Sequence, residues 1–270
     1  MSLEILKKYK IRAKKGLWQN FLQDDLVLNE IAESIEVDWK NIVEVGPGYW
    51  ALTEKLLEQN PKNLDLVELD TDMIRILESR IENHDFDLEN TNVKINHIDV
   101  LKYEPIFWEY DVIANIPYYI TSPILRHFLY ETENKPIHMV ILMQEDVGNK
   151  ILGKWKNKSS VLSLFIEKKC YVSEIIKVPK EAFVPAPKIE SSVLLFESHN
   201  DHDHINDEDF LIIIKKWFAE PRKKLSNNLI KGGYSKEKIT KLFEELGFWI
   251  NTRGEDLDID QWNAIVKALS

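Results

Sequence analysis

Asn41-Ile-Val-Glu-Val-Gly46-Pro-Gly48 is the stretch from which the fold can be read. An apolar, β-branched run that stops at two glycines reads as a buried strand entering a tight turn. Ala51 to Gln59 then reads as a helix, and the same alternation continues outward. Asn63-Leu-Asp-Leu-Val-Glu-Leu-Asp70 is a second strand and Met73 to Asn83 a second helix. Val93 to His97, Tyr110 to Asn115 and His138 to Met143 are further strands. Strands alternating with helices predict an α/β architecture, a largely parallel Rossmann-like sheet with helices on both faces. Ser191 to Phe196 is expected as a late strand, paired antiparallel with Leu162 to Ile166.

The composition changes at His199-Asn-Asp-His-Asp-His-Ile-Asn-Asp-Glu-Asp209, a polar, acidic stretch with the character of a linker. Helical patterns follow over Phe210 to Ala219, Arg222 to Ile230, Ser235 to Leu246 and Asp260 to Leu269. The expected organisation is a sheet domain over 1–198, an acidic linker over 199–209 and a small all-helical domain over 210–270. His199, His202 and His204 read as solvated linker residues, because nothing in the sequence fixes a metal geometry for them. No metal is expected.

The chain has 270 residues, 44% of them apolar, which is enough to bury a core and too apolar for a disordered protein. Its single cysteine, Cys170, excludes an intramolecular disulfide and a cysteine-built zinc site. A reducing, cytoplasmic setting is expected. A membrane span needs about 20 consecutive apolar residues. The uncharged run from Val112 to Leu125 is shorter and is broken by Pro117 and Pro123. Neither a membrane helix nor a signal peptide is read, and monomer is the default oligomeric state.

The net charge of −10 speaks against nucleic acid as a partner, but its distribution does not. Six basic residues and no acidic ones lie between Lys7 and Lys15. Nine basic and two acidic residues lie between Lys215 and Lys241, and Lys150, Lys154, Lys156 and Lys158 form a third run. One shared face would make a basic patch on an acidic protein. From charge alone, three separate solvated surfaces are the favoured reading.

The glycine turn carries chemistry as well as chain reversal. Gly46 permits a tight turn, Gly48 lets the backbone approach a ligand, and the helix that follows offers unpaired N–H groups. Glu68 ends the second strand 22 residues after Gly46, the spacing at which an acid accepts hydrogen bonds from ribose hydroxyls. Together they point to a nucleoside-containing cofactor. Gly46-x-Gly48-x-x-Ala51 also fits the dinucleotide pattern, so an NAD oxidoreductase stays open at this point.

Asn115-Ile116-Pro117-Tyr118 follows the fourth strand at the carboxyl edge of the sheet, where ligands of open parallel sheets bind. The Asn115 carboxamide oxygen can accept a hydrogen bond from the exocyclic amine of a planar base. A main-chain carbonyl near Pro117 can accept a second. Two acceptors draw the nitrogen toward sp³ character and aim its lone pair. Tyr118 offers a stacking face worth about 1–3 kcal/mol per base. With an electrophile that carries its own positive charge, positioning and electrostatics suffice and no strong base is needed.

Taken in order, these motifs resemble the adenine-N6 rRNA dimethyltransferases, and within them the KsgA-type small-subunit enzymes. The resemblance runs from about Lys14 to Leu269. Gln19-Asn20-Phe21-Leu22 is similar to the family's N-terminal cofactor segment, and Glu44 to Gly48 with Ala51-Leu-Thr53 to its glycine motif. Val67-Glu-Leu-Asp70 resembles the ribose-binding strand end, and Asp99 the acid on the adenine amine. Asn115 to Ile120 with Ser122-Pro-Ile124 resembles the catalytic motif. Ala182-Phe183-Val-Pro185-Ala-Pro187 resembles the target-base loop, and Arg222-Lys-Lys-Leu-Ser-Asn227 the basic C-terminal helix.

The resemblance implies a class I methyltransferase sheet with S-adenosyl-L-methionine as cofactor, held by Asn20, Leu22, Gly46, Gly48, Glu68, Asp99 and Asn115. Asn115, Pro117, Tyr118 and Phe183 are the implied catalytic set, with a flipped adenosine between Tyr118 and Phe183. Lys14, Lys15, Arg222, Lys223 and Lys224 are the implied RNA contacts. The implied partner is small-subunit rRNA within the immature small ribosomal subunit. There two adjacent adenosines of a hairpin near the rRNA 3′ end become N6,N6-dimethyladenosine. A large-subunit resistance methyltransferase and a non-catalytic assembly factor are the alternatives. Trp18 and Trp50 stand where the family has small residues, and their packing together over the cofactor is one expectation.

Overall fold

The computed structural model describes residues 20–269 except 154–158, 219, 221 and 222. By contact the chain divides into two units, 1–148 with 172–198 and 149–171 with 199–270. Residues 149–171, read from the sequence with the sheet domain, group with the helical unit.

In the first unit β1 (Phe21–Leu22) precedes α1 (Asp25–Ala32), which starts where the Asp24 carboxylate accepts the N–H groups of Leu26 and Val27. Then follow β2 (Asn41–Val45), α2 (Ala51–Leu57), β3 (Asn63–Glu68), α3 (Thr71–Glu82) and β4 (Asn92–His97). After them come β5 (Asp111–Asn115), α4 (Thr121–Arg126) and β6 (His138–Gln144). β2 to β6 form parallel pairs, as the βα alternation requires. The middle residues of β2, β3, β5 and β6, among them Ile42, Val43, Leu66, Ile113 and Ile141, are buried, while the edge strand β4 is not. Such continuous burial marks strands covered on both faces.

α5 (Glu145–Ile151), α6 (Val161–Glu167), β7 (Cys170–Val178), β8 (Phe183–Val184) and β9 (Ser191–Ser198) come next. The seven-stranded sheet has the order β4-β3-β2-β5-β6-β9-β7. β9 is antiparallel, as expected, but its partner is β6, with His138 opposite Glu197 and Gln144 opposite Ser191. The expected pairing with Leu162 to Ile166 is incorrect, because those residues are helical. A short apolar run reads alike as strand or buried helix. The capping box at Ser160 and Ser163, each side chain bonded to the other's backbone, starts a helix here.

The second unit is helical beyond residue 199. α7 (Asp207–Trp217) begins at Asn206, whose side chain accepts the Asp209 N–H at 3.0 Å. Ahead of it the buried Lys168 ammonium donates to the carbonyls of His202 and Ile205 at 3.1 and 2.9 Å and pairs with Asp207. Residues 202–207 are thus gathered on one cation. α8 (Leu225–Lys231), α9 (Lys236–Glu245) and α10 (Ile259–Leu269) complete the unit. α8 starts three residues later than the sequence suggests, because Lys224 makes an antiparallel bridge to Arg253. Leu164, Phe210, Trp217, Leu229 and Trp262 share one buried cluster.

Candidate active site

The sheet order sets the place of the site. From β2 the chain winds outward through β3 and β4, then returns to place β5 and β6 on the other side of β2. The strand order reverses between β2 and β5, and open α/β sheets bind ligands at the carboxyl ends beside such a reversal. Val45 lies opposite Ala114 across that pair, so the glycine turn and Asn115 are neighbours.

The turn is shaped by its glycines. Gly46 has φ +71°, and a Cβ there would come within 3.1 Å of the Asn115 carbonyl oxygen. Gly48 has φ +56° with ordinary room around it, so there the backbone conformation alone favours glycine. Glu68 closes the turn from the next strand. One carboxylate oxygen accepts the N–H groups of Leu69 and Asp70, both at 2.8 Å, and the other accepts the Gly48 N–H at 3.2 Å. Burial pushes its pKa up, and the three N–H donors hold it back.

A second carboxyl lies beneath the turn. Glu44 is fully buried on β2 and accepts the Thr53 hydroxyl at 2.6 Å, which ties the strand to α2. Loss of hydration pushes its pKa up to about 8, the Thr53 bond opposing and the Glu68 charge adding. The folded state therefore holds a proton that the unfolded chain releases near pH 4.5. Stability from this group is complete below that value and is lost as pH rises through about 8. Glu44→Gln should flatten this slope. Urea midpoints measured from about pH 5 to 8 should fall for the wild type and stay nearly level for the variant.

One cavity joins the candidate residues. Asn20, Leu22, Gly46, Gly48, Glu68 and Asp99 line it. So do Asn115, Pro117, Tyr118 and Phe183. Leu22 and Phe183 are distant in sequence and meet because β1 pairs antiparallel with β8, Phe21 opposite Val184 and Leu22 opposite Phe183. The Gln23 N–H donates to the Ala182 carbonyl at 2.8 Å and extends this ribbon. Lys14 and Lys15 lie outside the described residues, as does Arg222. Lys223 and Lys224 are exposed on the second unit.

Three partners were not evident from the sequence. The Tyr118 hydroxyl is 2.7 Å from the Ser191 hydroxyl, which fixes the ring, and burial raises the phenol pKa so that it stays neutral. Tyr49 donates its hydroxyl to the Leu22 carbonyl at 2.7 Å and meets Phe21 edge-to-face at 5.0 Å. Tyr103 donates to the buried Asp65 at 2.6 Å and anchors the loop that carries Asp99. Asp65 gave a signal that was missed. A carboxylate inside a buried strand needs a donor.

Trp50 does not cover the cavity. It is buried and stacked on Phe86, with centroids 4.6 Å apart and planes within 9°, and the Arg80 guanidinium lies 4.2 Å from the Phe86 centroid. The expected Trp18–Trp50 packing over the cofactor is therefore corrected on the Trp50 side, and Trp18 lies outside the described residues. Among the described residues no group of three or more His, Cys, Asp or Glu could hold a metal ion, and no helix is long and apolar enough to cross a membrane.

The site fits a nucleoside cofactor. A glycine cradle is tight against the Asn115 carbonyl at Gly46, a carboxylate stands at the ribose distance along the chain, and apolar walls come from Leu22 and Ile98. Glu68→Ala should weaken S-adenosylmethionine binding by about 10- to 100-fold, the worth of a charged acceptor. Calorimetry on the free protein would show this, and unchanged affinity would remove Glu68 from the cofactor site.

Comparison with known proteins agrees in kind. Residues 10–270 match the model of the family described as ribosomal RNA adenine dimethylase. A protein of Mycoplasma mobile named ribosomal RNA small subunit methyltransferase A is 35% identical over 262 residues, covering 95% of this chain and 98% of its own. One of the same name from Aliarcobacter butzleri is 37% identical, covering 92% of each chain. In fold, the chain resembles a dimethyladenosine transferase from Plasmodium falciparum, with a TM-score of 0.78, 19% identity and coverage of 92% and 96%. It also resembles the 23S rRNA methyltransferase ErmE, with a TM-score of 0.74, 21% identity and coverage of 93% and 99%. Matched along almost its whole length, this chain belongs to the ribosomal RNA adenine dimethylase family.

Proposed function

We propose that the protein is an S-adenosylmethionine-dependent adenine-N6,N6-dimethyltransferase of small-subunit rRNA, acting in the cytoplasm on immature small subunits. The observation that carries this reading is the single cavity that Asn115, Pro117, Tyr118 and Phe183 share with Gly46, Glu68 and Asp99. The name of the curated relatives favours the small subunit over the large one. An NAD oxidoreductase leaves Asn115 to Tyr118 without a role.

When bound, S-adenosylmethionine supplies a methyl group activated by the positive sulfonium. Glu68 holds the ribose, and Asp99 the adenine amine. The protein's further work is positioning. Tyr118 and Phe183 present apolar faces to the target adenine, whose extraction from RNA structure is repaid by stacking. The Asn115 carboxamide oxygen accepts one N6 hydrogen. Among the described residues it has no other hydrogen-bond partner. A main-chain carbonyl beside Pro117 accepts the second hydrogen, and the nitrogen lone pair is left aimed along the line of transfer. The N6 proton leaves to water once the new bond has formed, so no side chain need act as base. Lys14, Lys15, Arg222, Lys223 and Lys224 serve the RNA backbone in this reading.

The test is methyl incorporation from labelled S-adenosylmethionine into small subunits that lack dimethyladenosine, with large subunits in parallel. Labelled dimethyladenosine in the small subunit is the expected product. Label in the large subunit alone would support the resistance-type alternative. Tight small-subunit binding with no label would favour a non-catalytic assembly factor.

A further inference from the structure

The turn 249–252 of the helical unit has no role in the site described above. Trp249 is 84% exposed and Ile250 68% exposed. Large aromatics at a loop tip are costly to leave in water and are commonly contact residues. The turn is closed, with the Thr252 N–H donating to the Trp249 carbonyl at 2.9 Å. It is also stitched to the basic segment. The Leu225 N–H donates to the Thr252 carbonyl at 2.8 Å, and Lys224 bridges Arg253.

The charge beside this turn is mixed: Glu244 and Glu245 precede it and Glu255, Asp256 and Asp258 follow it, but the segment stitched to it is basic. From 223 to 236 there are four lysines and no acid, and from 247 to 253 one arginine and no acid. Lys223 and Lys231 share Glu220, which leaves that group of three with one net positive charge. Arg253 pairs at 3.7 Å with the largely covered Glu255. Lys224 is exposed at the bridge itself. Lys224 and Arg253 thus stand beside a turn that carries an exposed indole.

We infer that the Trp249 turn is an RNA-stacking contact: its indole takes the face of an unpaired base while Lys223, Lys224 and Arg253 take the flanking phosphates. A base with phosphates on either side matches one aromatic plane among cations. A protein partner would want a wider apolar area than Trp249 and Ile250 supply. The inference rests on the rRNA reading and adds to it a contact outside the catalytic unit.

The test uses the full chain and a labelled 12-nucleotide single-stranded RNA, with the duplex of the same length alongside. Trp249→Ala should weaken single-strand binding about 5- to 100-fold. Trp249→Phe should restore most of that loss. The slope of affinity against salt should not change, because a stacking contact releases no counterions, whereas Lys224→Glu should lower it. The helical circular dichroism signal and urea midpoint of each variant report whether the helical unit is intact. Wild-type affinity in Trp249→Ala overturns the inference, as does a wild type that binds no single strand. A loss that Phe does not rescue, or equal losses on the duplex, also overturns it. Methyl transfer by the wild type is read separately, so failure of the activity and failure of this contact give different results.

Discussion

Asn115→Ala is expected to lose methyl transfer by about a hundredfold or more, a far larger effect than its loss of S-adenosylmethionine affinity. The reasoning is differential. Stacking on Tyr118 and Phe183 holds the adenine in ground state and transition state alike and does not by itself accelerate transfer. The Asn115 acceptor strengthens as the amine nitrogen gains positive charge, so its worth grows along the reaction. The substitution leaves β5 in place, because Ala114 and the Asn115 backbone keep their register with β2 and β6. Gly46 still packs on the Asn115 carbonyl oxygen, which alanine retains. Single-turnover rates on saturated small subunits separate this from weaker binding. The second methylation should suffer no more than the first, because the single hydrogen of the monomethyl amine can still be taken by the main-chain carbonyl. An unchanged rate would mean that the amine is aimed by backbone carbonyls alone.

How far the sequence could be read follows from the range of each signal. β2 and its glycine turn, Glu68 and Asn115 were legible because each is a local pattern at the end of a strand. Strand order then does the rest, since parallel strands with right-handed crossovers put their carboxyl ends on one edge. What could not be read was pairing between distant segments. Nothing in Phe21-Leu22 shows that it will meet Phe183-Val184, yet that ribbon brings Leu22 and Phe183 to the cavity. The Tyr118–Ser191 bond is hidden in the same way, spanning 73 residues. Leu162 to Ile166, expected as a strand, is helical for a different reason. Its apolar run carries no periodicity that separates the two states, and the capping serines at 160 and 163 were the better guide.

Trp50 is a case in which the sequence raised a question that backbone geometry answers. Its φ is +93°, at the residue before α2, where L side chains are strained and glycine is favoured. The indole is fully buried against Phe86, and its N–H has no acceptor among the described residues. Two opposing effects can be weighed by substitution. Trp50→Ala removes the buried ring and keeps the strained φ, for a loss of about 3–5 kcal/mol. Trp50→Gly loses the same ring but relieves the strain, worth about 1–2 kcal/mol, against about 0.5–1 kcal/mol of extra chain entropy in the unfolded state. Glycine should therefore be slightly less damaging than alanine, the reverse of their usual order at a helix. Urea midpoints of the two variants decide this. Alanine proving the milder change would mean that the left-handed conformation costs nothing here. Cofactor affinity should change little in whichever variant remains folded, since the ring packs into the core and not along the cavity. A tenfold loss of S-adenosylmethionine binding in a folded Trp50→Gly protein would instead make Trp50 the outer support of the glycine turn. The large residue would then be an adaptation of the site rather than of the core behind it.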